Sequence, residues 1–183
     1  MSAASTQGRV SDALTQGRVI GDATEADLPA ILALINQAIL ETTAVWHLQP
    51  ETLETRRAWF QARRAAGLPV LVARRDGQVL GFGSYGPFRP FAGFDATVEH
   101  SVYVDPAAQR LGIGAALLAA LEARAIAAGK HVMLGAVEAG NAGSIALHRR
   151  AGFVETGRLP QVGRKFDRWL DLVLLQKQLP AGL

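Results

Sequence analysis

The chain has 183 residues, 49% of them apolar, a formal charge of +3 and no cysteine. That length suits one folded domain with a real core, and the missing cysteines exclude disulfides, thiolate metal sites and a cysteine nucleophile. Neither an apolar run of roughly 18 residues for a membrane span nor a signal-type start is visible, so a cytoplasmic protein is expected.

The sequence TQGRV occurs twice, at 6–10 and 15–19, too few copies for a repeat architecture. Residues 1–17 are small, polar and glycine-bearing and are expected to form a poorly ordered tail, ahead of a single domain over 18–183. A short strand is predicted at 18–23. Thr24, Asp27 and Pro29 then signal a helix start, and Leu28, Ile31, Leu32, Ile35 and Ile39 fall on one face at helical spacing. A second helix is predicted over 50–66, closed by Gly67. Strands at 69–74 and 78–85 flank Arg75-Asp76-Gly77, a hairpin signal. A loop at 86–93, rich in proline and aromatics, leads to a strand at 97–104, a helix at 113–128 and a strand at 131–137. A helix at 141–151 and strands at 153–158 and 168–177 complete the pattern. Helices interleaved with strands and hairpins predict an α/β or α+β sheet with helices on its faces. The arginine pairs Arg56-Arg57, Arg63-Arg64, Arg74-Arg75 and Arg149-Arg150 read mostly as solvated faces; without interleaved aromatics they indicate no nucleic-acid surface.

Two glycines, Gly112 and Gly114, stand where a helix should start, although glycine inside a helix costs about 1 kcal/mol relative to alanine. Structural slack would explain them, and so would a ligand lying against bare backbone. A helix N-terminus presents N–H donors and a partial positive charge that suit a phosphate. Here Gln109, Arg110, Leu111, Gly112, Ile113 and Gly114 run straight into one. The spacing is neither GxxxxGK(S/T) nor GxGxxG, which disfavours a nucleoside triphosphate or a nicotinamide dinucleotide. Downstream, Asn141, Ser144 and His148 are spaced to share a helical face. That stripe reads either as an N-cap plus an exposed histidine or as a row of groups along an elongated polar ligand. In the strand at 97–104, alternation puts Val98, Val102 and Val104 on one face and Thr97, Glu99, Ser101 and Tyr103 on the other. A valine core face leaves Glu99 facing a cleft, as a candidate general base. His47, His100, His131 and His148 show no metal-ligand spacing, so no metal is expected.

QRLGIG, TVEHSVYV, SIALHRRAGF and VGRKFDRWLDLVLLQ together resemble the GNAT N-acetyltransferases. More narrowly, over residues 19–179, they resemble the phosphinothricin and methionine sulfone/sulfoximine acetyltransferase group. The resemblance implies a mixed, mostly antiparallel central sheet with helices on both faces. It implies an enzyme that moves acetyl from acetyl-CoA to the α-amine of a small amino-acid-like molecule. The backbone N–H groups from Gln109 to Gly114 would hold the CoA diphosphate. The pantetheine arm would bond the main chain of Val102, Tyr103 and Val104 like an added strand, with Asn141 and Ser144 beside it. Arg110 and Arg150 are partners for CoA phosphates or ordinary surface arginines. Glu99 stands in the family's T-V-E context as the base. His148 stands where many members have a tyrosine, and this subgroup a histidine; it would protonate the departing thiolate or help deprotonate the amine. A homodimer is the family tendency.

Acceptor recognition is expected from Arg89, whose fork suits a carboxylate, set among Phe88, Phe91 and Phe94 close to Glu99. The same loop also reads as a surface packed on a dimer partner. Lys165 and Arg168 are alternative anion contacts or parts of a charged turn; Trp46 and Trp59 read as packing residues. Two other functions keep part of the pattern. One is acetylation of a polyamine, a drug or a protein N-terminus. The other is a noncatalytic acyl-CoA-binding regulatory module with the glycine turn but without the chemistry.

Overall fold

The computed structural model describes residues 18–181, so the tail expected at 1–17 lies outside the described residues. In chain order the elements are β1 (Arg18–Asp22), α1 (Leu28–Glu41), α2 (Leu53–Ala65), β2 (Val70–Arg75), β3 (Gln78–Pro87), β4 (Thr97–Val104), α3 (Ile113–Ala127), β5 (Val132–Glu138), α4 (Ala142–Arg150), β6 (Val154–Lys165) and β7 (Arg168–Gln178). No helix among the described residues is long and apolar enough to cross a membrane.

Local chemistry sets the helix starts. Thr24 N–H donates to the Asp27 carboxylate at 2.6 Å, closing a short 3-10 turn before α1, whose first turn carries Pro29. Thr52 caps α2 by accepting from Thr55 N–H at 3.1 Å, worth about 1 kcal/mol for such a cap. The β2–β3 hairpin is tighter than the predicted three-residue turn. Arg75 pairs with Gln78, leaving Asp76 and Gly77, at φ 51° and 80°, as a two-residue loop whose twist matches that of the strands.

The largest departure from expectation is β6, which runs on to Lys165 instead of ending at 158. Pro160 hid the second half. It sits where the ladder with β7 slips between Leu159 and Gly163, and β6 is the edge of the sheet, where proline removes no ladder bond.

The sheet order is β1-β2-β3-β4-β5-β7-β6, and every neighbouring pair is antiparallel except β4 with β5. Alternate strand residues feed two apolar layers. Val70, Val72 and Phe82 meet Leu28, Ile31 and Ile35 of α1 and Phe60 of α2. Leu71, Ala73, Val98 and Met133 meet Ile113, Leu117 and Leu121 of α3. Each large side chain so buried stabilises by about 1.5–3 kcal/mol, and the sheet is clamped from both sides.

What positions the site is the parallel pair. Its ladder joins Thr97 to Val132 and ends at His100 with Gly135. Beyond that rung β4 stays with β3 alone and β5 with β7 alone. The strands part there, and every second N–H and C=O of residues 101–104 faces the opening.

Candidate active site

Asp105 closes β4: its carboxylate accepts from Ala107 N–H at 2.8 Å and starts a 3-10 turn at Pro106–Ala108. The backbone then enters the left-handed region twice, at Arg110 (φ 63°) and Gly112 (φ 78°). Gly112 has no Cβ to clash there. Arg110 does, and a side chain held in that region costs about 1–3 kcal/mol, a pattern typical of ligand clamps. Handedness that alternates residue by residue turns successive N–H groups to one side, a concavity for anions. The first hydrogen bond of the α3 ladder runs from Ala116 N–H to the Gly112 carbonyl at 3.0 Å, so the N–H groups of Ile113, Gly114 and Ala115 lie ahead of it. Gly114 answers a different need. A Cβ there would lie 3.3 Å from Leu147 of α4 and 3.7 Å from Val104, so it lets α3, α4 and the end of β4 close up beside the opening.

Strand parity holds as predicted. Glu99 lies on the α1–α2 face with Ser101 and Tyr103, half-buried between Gly86 on β3 and Leu134 on β5. Burial pushes its carboxyl above the usual range, and the charge of Arg89 pulls it partly back. Arg89 is exposed and reaches 4.7 Å over the Phe88 ring, which meets Phe94 edge-on at 5.7 Å. The fold therefore brings Arg89, Phe88 and Phe94 to the Glu99 side; Phe91 is 68% exposed. Tyr103 stacks on Phe82 at 5.1 Å. Its main chain lies at the opening, whereas its ring belongs to the α1–α2 wall.

That wall corrects one expectation. Arg56 is not part of a solvated pair: it is buried, bonded to Glu51 at 2.6 Å and stacked 4.4 Å over Trp59. Arg63 is half-buried and donates to the Tyr85 carbonyl. Spacing concealed this, because neighbouring residues on a helix point in different directions and only one of each pair turns inward. Lys165 is also corrected. It is buried and donates to the carbonyls of Thr42 and Val45 at 2.7 and 2.5 Å, so it ties down the α1–α2 connection and is no anion contact. Trp46 packs over Gly163 in the same region.

On the other face of β4 lies the second half of the site. Asn141 is the N-cap of α4, its carbonyl oxygen accepting from Ser144 N–H at 3.0 Å, which leaves the amide nitrogen for a ligand. His148 is not the exposed histidine of one sequence reading. It is 4% exposed, and its Nδ1–H donates to the Ser144 carbonyl at 2.7 Å. Its Nε2 lies 3.1 Å from Nε2 of His100. Burial pushes His148 below the usual histidine range, while the Ser144 carbonyl works the other way. A Cβ on Gly135 would stand 2.5 Å from His148 Nε2, so the imidazoles rest directly on the β5 backbone. His100 was missed as a site residue, yet it was findable: it is the polar residue on the Val98, Val102, Val104 face. Arg110 and Arg150 are exposed. Among the described residues no three His, Asp or Glu side chains are grouped so as to hold a metal ion.

Residues 32–153 match the model of the Acetyltransferase (GNAT) family. The chain is 55% identical over 161 residues to the L-methionine sulfoximine/L-methionine sulfone acetyltransferase of Pseudomonas paraeruginosa, covering 87% of this chain and 94% of that one. An acetyltransferase from Salmonella typhimurium, solved with its cofactor acetyl-CoA, superposes with a TM-score of 0.88 at 47% identity, over 90% of this chain and 95% of that one. The ribosomal-protein-alanine N-acetyltransferase of Brucella melitensis gives 0.87 at 54% identity, over 88% and 99%.

Proposed function

This chain belongs to the GNAT acetyltransferase family and is an N-acetyltransferase, and we propose that its acceptor is the α-amine of a small amino-acid-like molecule. Methionine sulfoximine, methionine sulfone and phosphinothricin are the acceptors to expect. The observation that carries this reading is a half-buried Glu99 at the β4–β5 opening with the charge of Arg89 near enough to act on it.

Bound acetyl-CoA supplies a thioester carbon open to attack by an amine. The left-handed turn and the α3 N-terminus fit its diphosphate, with N–H groups from Arg110, Gly112, Ile113 and Gly114 as donors, while the N–H of Gln109 already bonds the Pro106 carbonyl at 3.4 Å. The main chain of Val102, Tyr103 and Val104 would take the pantetheine, with Asn141 and Ser144 alongside and Arg110 and Arg150 near the phosphates. Glu99 removes the proton that the attacking amine must lose. Burial makes its carboxylate a stronger base than an exposed one, and the proton leaves the acceptor for Glu99 as the C–N bond forms and the C–S bond breaks. Arg89 pairs with the acceptor carboxylate, and Phe88, Phe91 and Phe94 shield the acceptor from water. His148 faces the same reaction from the cofactor side.

A homodimer in the cytoplasm belongs to the same proposal. The β6–β7 hairpin supports the dimer: Leu159, Val162 and Phe166 are exposed on it, and Trp169 is 62% exposed, more apolar surface than a free edge normally carries. A monomer mass by light scattering would refute it.

The function is tested by CoA release with a panel of amines: methionine sulfoximine, methionine sulfone, phosphinothricin, common amino acids, a polyamine and an alanine-starting peptide. Turnover of the glutamate-like compounds that collapses in Glu99→Gln supports the reading. Turnover of the peptide alone replaces it with a protein N-terminus as acceptor, the activity named for the Brucella relative.

A further inference from the structure

The proposed chemistry uses His148 but not the imidazole facing it. His100 is buried on the valine face of β4, its ring stacked on that of His148 at 5.0 Å with 24° between planes, and Phe153 stands edge-on to both. With both imidazoles neutral, the hydrogen bonds allow one distribution of protons. A carbonyl only accepts, so the 2.7 Å contact with Ser144 places a proton on His148 Nδ1. A neutral imidazole protonated there has only a lone pair at Nε2. The proton shared across the 3.1 Å contact is therefore carried by His100 Nε2. His100 Nδ1 is then a bare lone pair, and it is indeed buried without a hydrogen-bond partner, an exception that native interiors seldom keep without a use.

The surroundings add no competing charge. β5 contributes Gly135, whose missing side chain gives the pair its seat, and Phe153 closes the other side. Beyond Phe153, Lys177 lies 5.8 Å over the ring and is paired with Glu122 at 2.6 Å.

We propose that His100 is a positioning residue that locks His148 as the Nδ1–H tautomer, its Nε2 lone pair held at the last rung of the β4–β5 ladder. The use of this lock rests on the acetyl-transfer reading; its geometry does not. Locked in this way, His148 has no proton at Nε2 to give. Its Nδ1 proton is tied to a carbonyl, and its Nε2 already accepts. It can take up a proton there if His100 yields, but it does not protonate the departing thiolate, one of the two roles its position suggests. The proton lost by the amine goes to Glu99 on the opposite face. Burial, with the neighbouring His148, holds His100 down to about 3, so it stays a neutral donor throughout the working range.

The test is tautomer mapping by long-range 1H–15N correlation on histidine-labelled protein, near about pH 7. The expected result is His148 protonated at Nδ1, His100 protonated at Nε2, and no titration of His100 down to about pH 5. A wild-type His148 protonated at Nε2 overturns the proposal without any variant. His100→Leu removes the donor, which favoured the neutral form. The His148 titration should move up by on the order of one unit. kcat should fall on the order of tenfold, with KM for acetyl-CoA within about twofold. His100→Gln can donate from its own Nε2 and should recover much of both. A folded His100→Leu protein with an unchanged His148 tautomer and titration overturns the lock. Wild-type tautomers as expected, but no acetyl transfer to any amine, would leave the lock standing and sink the reaction reading instead.

Discussion

The two faces of β4 hold the two halves of the site, and burial acts on them with opposite consequences. On the α1–α2 face it raises the pKa of Glu99; on the α3–α4 face it lowers those of His100 and His148. In each case the neutral form is favoured, because desolvation penalises charge whatever its sign. Linkage then runs in opposite directions. A carboxyl group raised in the folded state costs stability once pH rises above the ordinary carboxylate range and through the raised value. A histidine lowered in the folded state costs stability as pH falls from 6.5, for His100 toward about 3. At neutral pH the histidine face is therefore at ease, while the Glu99 face holds a charge against its surroundings. On the proposed role of Glu99, reactivity sits where the fold is least comfortable, as expected when an active group is kept at the expense of stability. The histidine face is the frame.

Glu99→Gln strikes at this contrast most directly. The variant should lose about 10²–10⁴ in kcat/KM and yet melt at a higher temperature at neutral pH, since the amide escapes the cost of a buried charge. CoA-release kinetics and thermal melts would check both, and a variant that loses activity and stability together removes the contrast. Gly135→Ala attacks the frame instead. Its new Cβ would arrive 2.5 Å from His148 Nε2, and overpacking of this kind should cost about 1–3 kcal/mol in chemical denaturation; an unaffected midpoint would show that the pair is not seated on β5. Arg89→Ala should raise KM for an amino-acid acceptor about tenfold, the scale of one hydrogen bond to a charged group. The acid limb of kcat/KM should also move to higher pH, because the influence that lowers the Glu99 pKa has gone. A limb that stays in place would deny Arg89 any bearing on Glu99. The smallest effect expected is that of Asn141→Ala, about 1 kcal/mol of stability for a lost N-cap. Weaker acetyl-CoA binding in the same variant, read by calorimetry, would add a ligand contact to its capping role.

How much of this was legible in the sequence follows from what kind of information each feature carries. The strand at 97–104 and the helix start at 113 were read within a residue, because alternation, helical spacing and glycine are local signals. The orientation of Glu99 followed from parity, which no tertiary contact overturned. The second half of β6 was not legible, since proline reads as a stop unless the strand is known to be an edge. The role of His100 is not legible from spacing, which reports only neighbours along the chain, whereas its partner is forty-eight residues away. Arg56 and Lys165 were read as surface cations for a similar reason. The carbonyls of Thr42 and Val45 reach Lys165 only by the packing of β6 against the α1–α2 connection, and Glu51, five residues before Arg56, is set toward it by Asn36 of α1, which bonds the Glu51 backbone.

The sequence by itself determined the elements, the two-layered apolar pattern, the anion-ready turn at Gln109–Gly114 in its resemblance to an acyl-CoA family, and the face on which Glu99 lies. These depend on backbone preference and periodicity, which act over a few residues. Only the tertiary structure decided where β4 and β5 part, that Arg89 would bear on Glu99, and that His148 would spend both ring nitrogens on Ser144 and His100. Those features arise from desolvation and from contacts between distant segments, and neither exists until the chain has closed on itself.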